Sequence, residues 1–261
     1  MDRTGSSLSG DCCAVLELRQ YTLKAGQRDA LIRLFDRHFV ESQEAVGMTV
    51  VGQFRDRRRA DRFVWIRGFS DMQSRHSALE RFYGGPVWAE HKAAANATMV
   101  AVDDVYLLKP ARADTAFRLD VNGRPAVGEE RKPVGVIAGI HHLRQPPDPS
   151  VLLQFEEWVA TQLRHDGVRL ESVFVTEHAA NTFTRLPVRE GDEVLVWFGT
   201  VDRGYERPTQ RVLEASVLSP VAKGPPDVLE LEATPRSLLG HRPHVSGEPC
   251  GTASSQATAR L

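Results

Sequence analysis

One order of elements, strand, helix, strand, strand, helix, strand, runs twice through this chain of 261 residues, and the duplication limits the fold more than any other feature. In the first half, Val15 to Tyr21 alternates as a short strand, and Leu31, Leu34, Phe35, His38 and Phe39 recur at helical spacing up to a closing Gly47. Met48 to Phe54 and Phe63 to Phe69 are rich in β-branched and aromatic residues and flank a charged loop as a hairpin. Ser70 or Asp71 caps the next helix, whose apolar face holds Met72, Leu79, Phe82 and Tyr83. Gly84-Gly85 interrupts it, Pro86 restarts a turn carrying Trp88 and His91, and Val102 to Leu108 makes the last strand.

The second half repeats this order. Val136 to Leu143 is a strand, and Asp148-Pro149 opens a helix with Leu152, Phe155, Val159 and Leu163 on one stripe, ended by Gly167. Arg169 to Glu177 and Glu193 to Thr200 are the central strands, a second helix is expected near Pro208 to Val217, and Val228 to Glu232 closes the module. Val15 and Val136 lie 121 residues apart and Val105 and Val228 lie 123 apart, an offset too constant for coincidence. The division is therefore a first module over 14–110, a linker over 111–133 in which Asn122-Gly123 favours a hairpin turn, and a second module over 134–234. Residues 1–13 and the Ser-, Thr-, Gly- and Pro-rich 235–261 hold too little apolar surface to offset their ordering entropy, so both are expected to be disordered.

The fold class that follows is α+β, two tandem ferredoxin-like modules. A four-stranded antiparallel sheet with both helices on one face leaves the other face bare. Two such sheets laid face to face cover one another as a closed barrel, and a chain with two modules supplies both. The bare face of the first sheet is assigned to Glu17, Arg19 and Tyr21, which alternate with Leu16 and Leu18. At the 121-residue offset Glu17 and Arg19 are matched by Ala138 and Ile140, a divergence that implies one module keeps a site and the other supports it.

Composition narrows the partners. A net charge of −1 with 26% charged residues leaves no basic excess for phosphates, so nucleic acid is not expected. The run Arg55, Arg57, Arg58, Arg59 and Arg62 is interspersed with Asp56 and Asp61 and is taken as a solvated loop, with an anion-binding rim as the alternative. Cys12, Cys13 and Cys250 have no metal-ligand spacing and are expected as free thiols. No signal core and no membrane-length apolar run occurs, so the expectation is a cytoplasmic protein, a monomeric pseudo-dimer or a homodimer.

LELRQYTLKAGQ, VWIRGFSDMQSR and FYGGPVWAEH resemble the NIPSNAP family, and HAANTFTRLPVREGDEVLVWF resembles the second half of its bacterial two-module members. The resemblance covers residues 14 to 205 and implies a dimeric α+β barrel, a superfamily that also includes cofactor-free oxygenases, haem-degrading enzymes and aldoxime dehydratases. It implies no single activity.

The candidate site gathers Tyr83, Trp88, His91 and Asn96 with Arg67 from the preceding strand. Trp88, His91 and Ala95 share a helical face, which suits a flat aromatic ligand. In cofactor-free oxygenation, cyclisation or isomerisation, His91 would act as base, with Asn96 and Arg67 stabilising the developing enolate. That reading expects a cavity of several hundred cubic ångströms beside Trp88 and His91. The alternatives are a non-catalytic binder of a small hydrophobic or aromatic molecule, and an interaction module in which these residues are core. His38 on the first helix, and His178, Asn181 and Arg185 in a long loop of the second module, are further binding candidates. His141 and His142 are strand neighbours facing opposite ways, so no metal site is expected. No dinucleotide, P-loop or nucleophile-elbow motif occurs, and no cofactor is expected, although a haem would need only one axial histidine.

Overall fold

The fold is described from a computed structural model over residues 13–129, 131–201 and 217–240. The strands are β1 (Val15–Leu23), β2 (Thr49–Asp56), β3 (Arg62–Phe69), β4 (Met99–Pro110), β5 (Gly135–Leu143), β6 (Val168–Thr176), β7 (Glu193–Val201) and β8 (Asp227–Ala233). The helices are α1 (Arg28–Leu34), a π-helical turn (Phe35–Phe39), α2 (Val40–Glu44), α3 (Met72–Tyr83), α4 (Pro86–Thr98) and α5 (Pro149–His165). Asp71 caps α3 by accepting from the Ser74 amide at 2.6 Å. Gly47 and Gly167, beyond the ends of α2 and α5, take φ of 95° and 71°, a region where other residues are strained.

The eight strands close into a barrel in the order β1, β3, β2, β8, β5, β7, β6, β4, with every neighbouring pair antiparallel. Each module keeps one internal order, β4-β1-β3-β2 and β8-β5-β7-β6, and the second strand of each joins the last strand of the other. The expected intrachain barrel of two modules is therefore present. Its interior is aliphatic and aromatic, with Leu16, Leu18, Ile66, Ala138, Ile140 and Phe198 among the buried residues. Each leucine, isoleucine or phenylalanine side chain removed from water there is worth about 1.5–3 kcal/mol.

Several expectations are corrected. Leu16 and Leu18 fill the barrel, so Glu17, Arg19 and Tyr21 face the helices rather than the second sheet. Both faces of β1 are buried, so alternation of polarity alone did not say which was inner. The closed interior takes the wholly apolar face because it offers no partners for charge. The duplication offset in β1 also changes. Arg19 pairs with Trp65 as Gly139 pairs with Trp197, and Glu17 with Arg67 as Ile137 with Gly199, so Glu17 and Arg19 are matched by Ile137 and Gly139.

The linker and tail differ as well. Asn122-Gly123 lies in a 3-10 turn (Val121–Gly123) tied by the Asp120 carboxylate to the Asn122 amide, not in a hairpin, and Phe117 is buried in the barrel core near Phe174 and Phe198. Residues 235–240 are placed rather than disordered: Leu239 joins the same core, and its amide donates to the Val51 carbonyl at 3.0 Å. Cys13 is disulfide-bonded, against the expected free thiol. Residues 1–12, 241–261 and all but the last residue of the helix expected at Pro208 to Val217 lie outside the described residues.

In the second module the sheet meets α5 through apolar contacts and one histidine. A Cβ on Gly139 would lie 2.3 Å from Trp197 Nε1, so the indole occupies that space and donates to His141 Nε2 at 3.2 Å. Burial, helped by His142, lowers His141 to about 4. The unfolded chain therefore binds a proton that the folded chain refuses, and stability present above pH 6.5 is lost as pH falls towards 4. The loss should approach about 3 kcal/mol. His141→Gln, which stays neutral and still accepts from Trp197, should lack it. Urea denaturation of both proteins across that range checks the point, and equal losses would refute it.

Candidate functional site

The interface between the first sheet and its helices carries a buried charge cluster. Glu17 on β1 meets three guanidinium groups: Arg19 Nη1 at 2.6 Å, Arg67 Nε at 2.8 Å and Arg75 Nε at 2.7 Å, and all four side chains are fully buried. Burial alone would push the Glu17 carboxyl up, but Arg67, Arg19 and Arg75 outweigh it and hold the carboxyl well below the usual carboxylate range. Burial also works against the charge on Arg19, yet Tyr21 and Glu17 raise its pKa above the ordinary value. One carboxylate thus faces three cations. Among the described residues, Arg19 Nη2 and Arg75 Nη2 make no hydrogen bond, and Arg67 Nη2 makes only the ion pair with Glu17 at 2.7 Å.

The surplus positive charge is directed at two tyrosines. Arg19 Nε donates to Tyr21 Oη at 2.9 Å and Arg67 Nη1 to Tyr83 Oη at 3.5 Å, while Arg67 Nη1 also reaches Gln43 Oε1 at 3.2 Å. A guanidinium has no lone pair to offer, so each phenolic oxygen accepts, and its own proton remains to be donated elsewhere. Burial raises the Tyr21 pKa against the pull of Arg19, which keeps that proton in place.

Tyr21, Gln43 and Tyr83 border a cavity of about 100 Å3, walled further by Trp65 and Trp88. Tyr83 and Trp88 meet edge to face at 4.9 Å, and Arg67 sits over the Trp65 ring at 5.0 Å. Asn96 stands at the cavity edge on α4, itself exposed. Of the expected constellation, Tyr83, Trp88 and Asn96 are brought together here, with Arg67 behind them. The cavity is a third or less of the volume expected for a ligand site.

His91 is not among the lining residues. Its ring stacks on His38 at 3.8 Å, outside the cavity. His38 is pushed below its ordinary value by desolvation, then by His91 and Arg37. The two histidines therefore form a pair with each other rather than a base facing the aromatic wall.

The long loop of the second module closes the first. Asn181 Oδ1 accepts from Arg75 Nη1 at 3.1 Å, Phe183 stacks on Tyr83 at 5.8 Å, and Leu186 reaches the cavity wall. Arg185 lies over Phe183 at 4.7 Å and pairs with Glu80. His178 stays apart, paired with Glu193 at 2.8 Å. Glu17, Arg19, Arg75, Tyr21 and Gln43 were missed as site residues. A glutamate and an arginine inside a strand otherwise suited to a core were the available signal, and for Arg75 no local signal existed.

Among the described residues, no group of three or more His, Cys, Asp and Glu is arranged to hold a metal, and no helix is long and apolar enough to cross a membrane. No curated protein matches the chain. Among solved structures, a NIPSNAP-family protein of unknown function from Agrobacterium tumefaciens is 23% identical, with 40% of this chain and 93% of that one covered and a TM-score of 0.36. An uncharacterised NIPSNAP-domain protein from Burkholderia xenovorans is 16% identical over 37% of this chain and 93% of that one, with a TM-score of 0.34. A candidate monooxygenase from Fusobacterium nucleatum, 9% identical with a TM-score of 0.49, covers 87% of this chain and 95% of its own. The match to the family itself spans residues 16–112. That segment is a NIPSNAP domain, carried here as the first of the two modules of an α+β barrel.

Proposed function

We propose that the first module binds a small flat molecule with an acidic or enolic oxygen and holds that oxygen as the anion. The observation that carries this reading is the pair Tyr21 and Tyr83, whose oxygens are engaged by Arg19 and Arg67 and whose protons are free for a ligand in an aromatic cavity. Hydrogen bonds to charged groups are worth about twice neutral ones, and more in a dry site.

Size limits the ligand. A cavity of about 150 Å3 takes up benzene, so the 100 Å3 here suits at most a single ring, with some movement of the loop bearing Leu186. A polyketide-like substrate and a haem are both too large, and the reading involves no cofactor. Oxygenase, cyclase or isomerase chemistry would use the same two donors to stabilise an enolate, but it also needs a base. No histidine or carboxylate lines the cavity among the described residues. Binding without turnover is therefore favoured, and the barrel closed within one chain needs no second copy to cover its sheets.

Phenol is the direct probe, because its ionisation is visible in ultraviolet difference spectra. Bound phenol should ionise at lower pH than free phenol, and Tyr83→Phe or Tyr21→Phe should weaken phenolate binding about tenfold. Equal affinity in both variants, or phenol that stays protonated when bound, would sink the proposal.

A further inference from the structure

Apart from the aromatic cavity, a cleft of about 530 Å3 opens between the π-helical turn and two segments that cross it, residues 127–129 of the linker and residues 235–236. That volume is within the range of ordinary small-molecule sites. Single π-helical turns inserted in α-helices recur at functional sites. Asp36, in the turn, lines the cleft, and its Oδ1 is buried without a hydrogen bond among the described residues. Such an orphaned acceptor is rare because leaving it unpaired costs free energy.

Arg33 at the end of α1 and Arg37 in the π-helical turn also line the cleft, and neither makes a hydrogen bond or ion pair among the described residues. The buried Arg236 acts on the Asp36 carboxylate only through space, because its hydrogen bonds go elsewhere. Its guanidinium donates to the Asp36 backbone carbonyl at 2.8 Å, to the Pro125 carbonyl at 2.9 Å and to the Glu41 carboxylate at 2.9 Å. It therefore clamps the turn while its charge is taken up by Glu41. The Asp36 carboxylate, attracted only through space by Arg236, Arg55 and Arg124, and two cations therefore face one half-open space, whose lining also holds Glu129, His38 and the apolar Ala30, Leu34 and Val127.

We infer that this cleft binds a small carboxylic acid bearing an α-hydroxyl or α-amino group, with Asp36 accepting from that group and Arg33 and Arg37 holding the carboxylate. Fork-shaped guanidinium groups match a carboxylate, and the short carbon chain lies on Ala30 and Leu34. Burial, opposed by Arg236, Arg55 and Arg124 and reinforced by Glu41, raises Asp36 to about 6. It is thus an ionised acceptor at neutral pH, and the site loses it on mild acidification.

Calorimetric titration with L-lactate, L-serine, propionate and ethanolamine tests the inference, since propionate lacks the donor and ethanolamine the carboxylate. Lactate or serine should saturate in the millimolar range, and the two truncated probes should bind at least about tenfold more weakly. Asp36→Asn and the exposed Arg37→Ala should each weaken lactate or serine about tenfold, whereas Tyr83→Phe should leave both unchanged. Absence of millimolar binding by lactate and serine overturns the inference, as does wild-type affinity in both D36N and R37A.

Discussion

Glu17→Gln should destabilise the folded chain by about 3–5 kcal/mol, because it removes the one carboxylate that faces three buried guanidinium groups. Gln has the size and shape of Glu, so the change opens no cavity and the effect is electrostatic. For a chain of this size that loss corresponds to a fall in Tm of roughly 6–20 °C. Urea denaturation at neutral pH would measure it. A second change that removes one cation, Arg75→Met, should restore part of the loss, giving a coupling of about 1–3 kcal/mol in the double-variant cycle. A cost below about 1 kcal/mol for Glu17→Gln would mean that the cluster does not hold its charges as described.

The same reasoning makes the cluster more than a stabilising device. Apolar residues of similar volume often serve folding as well as a buried ion pair does. The second module illustrates this at matched positions, where Ile137 and Gly199 replace Glu17 and Arg67, and Trp197 lies across Gly139 in place of Arg19. That module packs its sheet on α5 with His141 as the buried titratable group at this face. The fold does not require the charge, and among the described residues only the first module sets it beneath an aromatic cavity. The asymmetry is what supports the proposal that the cluster serves ligand binding.

The strand order, and the helix order among the described residues, was legible in the sequence because each element has its own periodicity. β5 begins one residue before the expected Val136 and β7 ends one residue beyond Thr200. The inner and outer faces of β1 were not legible, since Leu16 and Leu18 are buried in the barrel while Glu17 and Arg19 are buried by each other and by Arg67 and Arg75. A hydropathy pattern records polarity and not partners. Tyr83, Trp88 and Asn96 could be grouped because α3 and α4 are close in sequence. His91 falls outside the aromatic cavity and against His38 of the π-helical turn, which no local pattern announces. Contacts such as Asn181 with Arg75, 106 residues apart, depend on the closed barrel.

Phe183→Ala should cost about 3–5 kcal/mol, the range for removing a large buried aromatic, although the residue lies in a loop between strands. Its side chain is 3% exposed and belongs to the hydrophobic cluster of the first module, stacked on Tyr83 and edge-on to His76. Asn181 and Leu186 on either side bind Arg75 and the cavity wall, so the phenylalanine anchors a roof that also touches the charge cluster. Removing it should enlarge the aromatic cavity, admit water to Tyr83 and Arg67, and weaken phenolate binding together with stability. Phe183→Leu, which keeps most of the volume, should lose less than half as much of both. A cost below about 1 kcal/mol, or a stability loss with phenolate affinity unchanged, would show that the loop joins the modules without closing the site. Covariation of the two measurements across Phe, Leu and Ala would tie the second module to the proposed site of the first, with the aromatic ring supplied by one shielding the guanidinium-backed hydroxyls of the other.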